Sequence, residues 1–394
     1  MRALSGLLTL VADIRRHAEV AREMIHARHI LAGGISTVEE ADLGLWVGIH
    51  DSERADYALA RTTQEQVLKA NRVLRGHGHP DTLRAMSNLA LTLQRQGDLP
   101  LARRLQEQVL EVSRRTLGDK HDLTLGAITN LAGTVYAQGD LAGARRLQEH
   151  VLKASRRLLG DEHPDTLRAL TNLAWTLYTQ QDLAGAQKLQ EQAVEARRRV
   201  LGDEHPDTLR ARNNLGLTLK AQGDLTRARP LQEQVLEAFQ RLLGDEHPDT
   251  LRARDNLAQT LKAQGDLARA RALQEQVLEA LRRRLGDEHL DTLTTRNNLA
   301  QTLKAQGDMA GARKLQERVL ESFRRLLGDE HPNTSLAAWN LFRTLLESED
   351  TPAANKVLEE SLLWLLRRDP AMLAGVQHEI RQRLSEMPGG PAGS

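Results

Sequence analysis

Seven histidines recur in this chain at intervals of 42 residues, and imidazole is a common zinc ligand. They are His79, His121, His163, His205, His247, His289 and His331. Each would open a helix in a different copy of a repeat, and stacked helices stand roughly 8–10 Å apart. A zinc–nitrogen bond is about 2 Å long, so successive copies cannot share one ion through these side chains alone. We therefore predict a structural role at the start of each helix, with no metal ion and no other cofactor.

Asparagine is the second residue type that recurs from copy to copy, and its amide both donates and accepts hydrogen bonds. The series is Asn88, Asn130, Asn172, Asn214, Asn256, Asn298 and Asn340. Asparagine has poor helix propensity, and a buried structural role would favour leucine or alanine in the middle of a helix. The series therefore favours a grip on the backbone of an extended peptide. The alternative is that these amides bond to neighbouring helices or to water across the stack.

The motifs of common catalytic sites are missing from the sequence. There is no glycine-rich phosphate loop and no arrangement of a nucleophile beside a base. The repeated Leu-Gly-Asp-Glu-His segments contain acids and imidazoles, but catalysis would need one special copy, so their recurrence indicates a structural task. Cysteine is absent, which excludes disulfides, thiolate metal sites and cysteine nucleophiles. We predict that the protein is not an enzyme.

The charge balance is nearly even, with 54 basic and 53 acidic residues. A general nucleic-acid binder would carry a strong basic excess, so we do not expect nucleic acid as the partner. No stretch approaches the length of a membrane span, and we expect no membrane partner. The short apolar run at residues 7–14 lacks a clear small-residue cleavage site. We therefore expect no signal peptide and a cytoplasmic location.

The elements that must position these side chains form a unit of two helices, shown most clearly by residues 205–244. Pro206 suits the first turn of the first helix, Gly223 suits its C-terminal end, and Asp224 can cap the second helix. The second helix carries an apolar stripe, and Ala228 is small where the paired helices would approach closely. Neither helix can bury its stripe alone, so neighbouring pairs must stack.

These units resemble the tetratricopeptide repeat. The shared features are Asn-Leu-Ala or Asn-Leu-Gly in the first helix, Gln-Gly-Asp between the helices, and alanine four residues after that aspartate. The period exceeds the usual length of about 34 residues, and with His-Pro-Asp and Leu-Gly-Asp it looks like the kinesin-light-chain type. The resemblance implies an all-α fold, an α-solenoid of stacked antiparallel helix pairs forming a right-handed superhelix with a concave groove. By resemblance, the asparagines match positions that hold ligand backbone in peptide-binding members.

The repeats divide the chain into four predicted segments. Residues 1–36 form an N-terminal capping helix, and residues 37–368 form the solenoid. Within the solenoid, residues 37–76 are a degenerate first repeat with Trp46 in place of the asparagine, and seven repeats follow from about residue 79, the last of them degraded. Residues 369–387 form a C-terminal capping helix, and residues 388–394 form a disordered tail.

Further side chains fall on the groove face of the first helices, at fixed distances from the asparagines. Four residues before them lie Arg168, Arg210 and Arg252, three after lies Trp175, and six after lie Tyr136, Tyr178, Lys220, Lys262 and Lys304. This distribution predicts an aromatic pocket near Tyr136, Trp175 and Tyr178 and a basic half over residues 210–304. The alternative is that the aromatic rings pack between repeats and that the lysines are solvated.

These features predict a non-enzymatic scaffold or adaptor that binds an extended peptide or partner segment in the concave groove. The two parts of the groove would suit a peptide with an apolar anchor and acidic flanks. The alternative is a regulatory sensor module of a bacterial signalling system, whose superhelix changes curvature when a peptide or partner protein binds. A shift in solution scattering on adding the partner would distinguish the sensor from a rigid scaffold.

Overall fold

The computed structural model describes residues 17–54, 56–370, 373 and 375–387, and the regular structure in these ranges is helical. Residues 1–16 of the predicted N-terminal capping helix and the predicted tail at 388–394 lie outside the described residues. The chain divides into two compact units, which we call unit 1 (Met1–Gln180) and unit 2 (Gln181–Ser394). Within the described ranges, no helix is both long and apolar enough to span a bilayer.

Unit 1 is a stack of helices in which each helix packs against the next along the chain. Its helices are α1 (His17–Leu31), α2 (Val38–Glu53), α3 (Tyr57–Leu74), α4 (Pro80–Arg95), α5 (Leu99–Leu117), α6 (Asp122–Ala137), α7 (Leu141–Leu159) and α8 (Pro164–Thr179). Short turns such as residues 96–98 make the paired helices antiparallel. The first helices α2, α4 and α6 also touch one another along the stack. The predicted degenerate repeat at 37–76 contains α2 and α3.

Unit 2 is built in the same way. Its helices are α9 (Leu183–Leu201), α10 (Pro206–Ala221), α11 (Leu225–Leu243), α12 (Pro248–Ala263), α13 (Leu267–Leu285), α14 (Leu290–Ala305), α15 (Met309–Leu327), α16 (Pro332–Glu347), α17 (Thr351–Ser361), α18 (Trp364–Arg367) and α19 (Gly375–Ser385). The segment predicted as a C-terminal capping helix, 369–387, contains α19, which packs against α16 and α18. Both units have the all-α, paired-helix architecture of an α-solenoid.

The recurring histidines cap the first helices. In α10, the His205 Nδ1 atom accepts a hydrogen bond from the backbone N–H of Asp207 at 3.1 Å. The same bond, from the backbone N–H two residues on, is made by His79, His121, His163, His247, His289 and His331. In each of these bonds the Nδ1 atom acts as the acceptor for a backbone N–H. Imidazole thus satisfies one of the orphan N–H groups at each helix start.

The other helix-boundary residues also act as the sequence predicts. Asp224 caps α11 by accepting a hydrogen bond from the backbone N–H of Arg227 at 3.1 Å, and Pro206 lies in the first turn of α10. The alanine predicted at the close approach of the paired helices is completely buried in every such repeat. This series is Ala102, Ala144, Ala186, Ala228, Ala270 and Ala312, each with 0% exposure. A larger side chain there would force the two helices apart.

Gln181 stands where the equivalent turns of most other repeats carry glycine, and its φ is 63°. Gly139 and Gly223 have φ values of 87° and 82° at the same place. A residue with a Cβ atom is strained by about 1–2 kcal/mol in this left-handed region. We therefore expect Gln181→Gly to raise the free energy of unfolding by about 1 kcal/mol, seen as a higher urea midpoint in circular dichroism.

The neighbouring residue provides the control for this stability prediction. Gln180 has φ −74°, an unstrained value, so glycine relieves no backbone strain there. Its Oε1 atom also accepts a hydrogen bond from Arg145. Gln180→Gly is therefore expected to lower the urea midpoint. Equal shifts in the two variants would show that the left-handed backbone at Gln181 carries no strain.

Candidate functional site

The asparagine amides of unit 1 are unengaged. Among the residues that the structure describes, no hydrogen bond reaches the side chains of Asn88, Asn130 or Asn172, which are half-buried. The residue before Asn130 does not engage it either, because the Thr129 hydroxyl donates to the Leu125 carbonyl at 2.9 Å in its own helix. The donors and acceptors of these amides therefore remain for water or a ligand.

Two of these asparagines line one cavity of about 590 Å³ on α2, α4 and α6, which we call the Trp46 pocket. Asn88 comes from α4 and Asn130 from α6, and Trp46 and Ile49 of α2 supply apolar lining. The structure thus brings together two predicted site residues on adjacent first helices. The sequence interpretation assigned no ligand contact to Trp46, although it stands where the later repeats have asparagine.

A smaller cavity on α6, α7 and α8 contains Asn172 and Arg168. The Arg168 guanidinium is paired with Asp165 at 2.8 Å. Gly126 of α6 lines both this cavity and the Trp46 pocket, and outside its chain neighbours and its own helix backbone no atom lies within 4 Å of the point where its Cβ would stand. The sequence interpretation missed Gly126. The available signal was its place in the repeat, four residues before Asn130, where Arg84 and Arg168 stand in the neighbouring copies.

The predicted aromatic pocket is partly a packing contact and partly an exposed surface. The Trp175 and Tyr178 rings stack with their centroids 5.1 Å apart, and Trp175 is 42% exposed. The Tyr136 hydroxyl shares a 2.8 Å hydrogen bond with the Thr179 hydroxyl of the next first helix. Burial raises the pKa of the Tyr178 phenol. Tyr136 therefore joins adjacent repeats, whereas Trp175 presents an indole surface that a ligand can cover.

The predicted lysines of unit 2 bond to neighbouring helices. Lys220 donates to the Gln259 side-chain oxygen at 3.0 Å, and Lys262 donates to that of Gln301 at 3.2 Å. Lys304 pairs with Glu347 at 2.7 Å. Burial lowers the pKa of Lys220 and of Lys262. These side chains therefore link successive first helices and are not simply solvated.

The two predicted groove arginines of unit 2, Arg210 and Arg252, also lie close to carboxylates of the protein. Arg210 donates to Asp207 in its own helix at 2.6 Å and to Asp249 in the next first helix at 2.7 Å. Arg252 lies 3.8 Å from Asp249. An acidic ligand on this surface would have to replace bonds that the protein already makes.

Asn298 bonds to the preceding first helix and so follows the alternative interpretation. Its Nδ2 atom donates to the Asp255 carboxylate at 3.1 Å, and Gln259 donates to the same oxygen at 2.8 Å. The other Asp255 oxygen is buried without a hydrogen-bond partner, and burial raises the pKa of this carboxyl group. In the same unit, Asn256 is buried, and Asn214 makes no hydrogen bond through its side chain within the described ranges.

Comparison with known protein families identifies the repeat. One model described as a tetratricopeptide repeat matches residues 43–115, 84–142, 123–199, 176–240 and 211–283, and a second matches residues 292–333. The chain belongs to the tetratricopeptide repeat family. Apart from Asp42, the residues that line the Trp46 pocket lie inside the matched ranges, and so do both rings of the Trp175 stack. This confirms the family predicted from the sequence.

Solved structures with this tetratricopeptide repeat fold include the apo form of the quorum sensor NprR from B. thuringiensis. It is 11% identical, with a TM-score of 0.60 over 90% of this chain and 96% of its own. The apo form of RapI is 14% identical, with a TM-score of 0.53 over 71% of this chain and 98% of its own. A putative kinesin light chain of Podosopora anserina is 31% identical over 52% of this chain and 97% of its own, with a TM-score of 0.48. No curated protein sequence matches the chain.

Tetratricopeptide repeats are typically non-enzymatic scaffolds for protein interactions. In the part of the chain that the structure describes, no three histidine, aspartate or glutamate side chains are grouped so as to hold a metal ion. Three unengaged asparagine amides of this tetratricopeptide repeat protein lie on the first helices of unit 1, at the Trp46 pocket and beside it. This surface is the candidate functional site.

Proposed function

We propose that the protein is an interaction scaffold that binds an extended peptide, or an extended segment of a partner protein, across the first helices of unit 1. The observation that carries this proposal is the pair of unengaged amides, Asn88 and Asn130, which line one cavity on adjacent helices. An extended peptide presents free N–H and C=O groups, and an asparagine amide can bond to both kinds. The exposed Trp175 indole would cover an apolar side chain of the same ligand.

The acidic character of the partner remains a separate proposal that concerns unit 2. Lys220, Lys262 and Lys304 would attract acidic side chains, but a ligand carboxylate must first displace the glutamine or glutamate that each lysine already bonds. We also propose a cytoplasmic location, which the absence of cysteine supports. The alternative, a regulatory sensor, would use the same peptide contact. A shift in the solution-scattering profile when the peptide is added would distinguish the sensor from a rigid scaffold.

The test is selection of peptides on the full chain followed by removal of the two amides. Displayed random peptides of about ten residues are long enough, when extended, to cross three first helices. A selected peptide carrying a fluorophore is then titrated with the native protein and with the double variant Asn88→Ala and Asn130→Ala. Two lost hydrogen bonds are expected to weaken binding by about tenfold or more, measured by fluorescence anisotropy.

Asn214→Ala serves as the control, because Asn214 has the same place in its repeat but lies outside unit 1. It should bind the selected peptide like the native protein. Alanine has the better helix propensity, so all these variants should stay folded, which circular dichroism verifies. Full affinity in a folded double variant would contradict the proposed contact, and failure to select any peptide would contradict the proposed function.

A further inference from the structure

We propose that the Trp46 pocket takes a lysine or arginine side chain of the bound peptide. This inference rests on the proposed function and adds the chemistry of the anchoring residue. It differs from the apolar anchor expected near Trp175, because it places a cationic anchor on α2, α4 and α6. Three features of the pocket support it, namely the open space at Gly126, the excess of carboxylates and the apolar walls.

The open space arises from a departure from the repeat. The position four residues before the repeated asparagine carries arginine in most of the central copies: Arg84, Arg168, Arg210 and Arg252. In unit 2 such an arginine closes the surface, since Arg210 reaches Asp249 of the next first helix at 2.7 Å. Gly126 has no such side chain, and outside its chain neighbours and its own helix backbone no atom lies within 4 Å of its Cβ position. The part of the Trp46 pocket that Gly126 lines is therefore open.

The charges that line the Trp46 pocket are mostly negative. Asp42, Asp81 and Asp122 line it, against the single guanidinium of Arg84. Asp42 is paired with Arg75 at 2.8 Å, and Asp81 is paired with Arg84 at 2.9 Å. Within the described ranges Asp122 has no ion pair. A ligand cation would therefore find one uncompensated carboxylate, whereas a ligand carboxylate would meet an excess of like charge.

The walls of the pocket fit the rest of such a side chain. Trp46, Leu45 and Ile49 of α2 give one apolar side, against which the methylene groups of lysine or arginine can pack while the charged end reaches a polar partner. The face of an indole ring also attracts a cation, with a preference for arginine. Asn88 and Asn130 line the same pocket, so they would bond to the peptide backbone close to the anchoring residue.

The experiment compares peptide selection on four forms of the full chain: the native protein, Gly126→Ala, Gly126→Arg and Asp122→Asn. Gly126→Ala adds a single methyl group where there is room, so it should weaken binding of the selected peptides less than Gly126→Arg does. Gly126→Arg adds a long cationic side chain at the pocket lining and is expected to weaken binding of the selected peptides by about tenfold or more, as the loss of an anchor contact does. Asp122→Asn keeps the volume and removes the charge, and should reduce the preference for lysine and arginine over a neutral residue by about twofold to fivefold, as expected for an exposed ion pair.

Glycine in the middle of a helix is less stable than alanine or arginine, so both Gly126 variants should melt at or above the native temperature. Folding failure therefore cannot explain a loss of binding by Gly126→Arg, and circular dichroism checks this. Enrichment of lysine or arginine that Gly126→Arg abolishes supports the proposal. The cationic anchor is overturned if the selected peptides bind Gly126→Arg as tightly as the native protein, or if they share an acidic anchor. Either result leaves the proposed peptide binding itself standing. Failure to enrich any peptide on the native chain overturns both this proposal and the proposed function.

Discussion

Phe239→Ala is expected to lower the free energy of unfolding of unit 2 by about 3–5 kcal/mol. Phe239 lies on α11 and is only 1% exposed. It packs in one cluster with Leu209 of α10, Val235 of α11 and Leu257 and Leu261 of α12. The ring therefore joins two successive helix pairs, and truncation leaves a cavity that both pairs would line. The stability of a stacked array depends on each helix pair and on the interfaces between neighbouring pairs. Loss of a contact between neighbours therefore weakens the interface as well as the pairs themselves.

Urea unfolding followed by circular dichroism measures the effect of Phe239→Ala. The control is Leu242→Ala on the same helix, because Leu242 is 44% exposed and its truncation removes little buried surface. We expect a change for Leu242→Ala within about 0.5 kcal/mol, as is usual for surface substitutions. A loss below about 1 kcal/mol in Phe239→Ala would mean that the neighbouring side chains collapse into the space, and that this ring is not the link between the pairs.

Asn298→Ala has the second largest expected effect, a loss of about 1–3 kcal/mol in the free energy of unfolding. The side chain donates to Asp255, whose carboxylate has one buried oxygen with no partner and depends on two donors at the other. Removing Asn298 leaves Gln259 as the remaining hydrogen-bond donor to that oxygen among the described residues. Loss of a partner at a buried polar group costs more than loss of a solvated hydrogen bond, which places this variant above an ordinary asparagine truncation.

Asn214→Ala is the matched control, with the same residue type at the same repeat position in the same unit. Its side chain makes no hydrogen bond within the described part of unit 2, so alanine should leave stability unchanged or raise it slightly through better helix propensity. Urea midpoints of the two variants give the comparison. If both variants behave alike, the bond between Asn298 and Asp255 contributes nothing, and Asn298 could serve a ligand as originally predicted.

The sequence predicts the helices well because their boundaries are local. Pro206, Gly223 and Asp224 act at the helix ends through short-range backbone chemistry, and the structure gives each the expected place. The histidines were also placed correctly at helix starts. That the imidazole itself is the capping acceptor could not be read from its recurrence, because any structural role there would recur in the same way.

The bonds between repeats were not predictable from residue types alone. Lys220 reaches Gln259, 39 residues on, and Asn298 reaches Asp255, 43 residues back, so neither bond joins identical positions of two copies. Such offsets depend on how one first helix lies against the next, which the repeat length does not specify. The Gly126 opening could have been found, since comparing the copies shows glycine at an arginine position. It was overlooked because a missing side chain offers no chemistry of its own.

The bonds of unit 2 also bear on how such a chain can change its length. Arg229 bonds to Gln264 over 35 positions, Arg241 to Glu204 over 37 and Arg210 to Asp249 over 39. Each of these spans is shorter than the 42-residue repeat, so each bond needs only the adjacent copy. If one whole 42-residue copy were duplicated or removed, the copies on either side could therefore form the same kinds of bond with their new neighbours. The number of copies can therefore change without a change in the kind of contact that joins them.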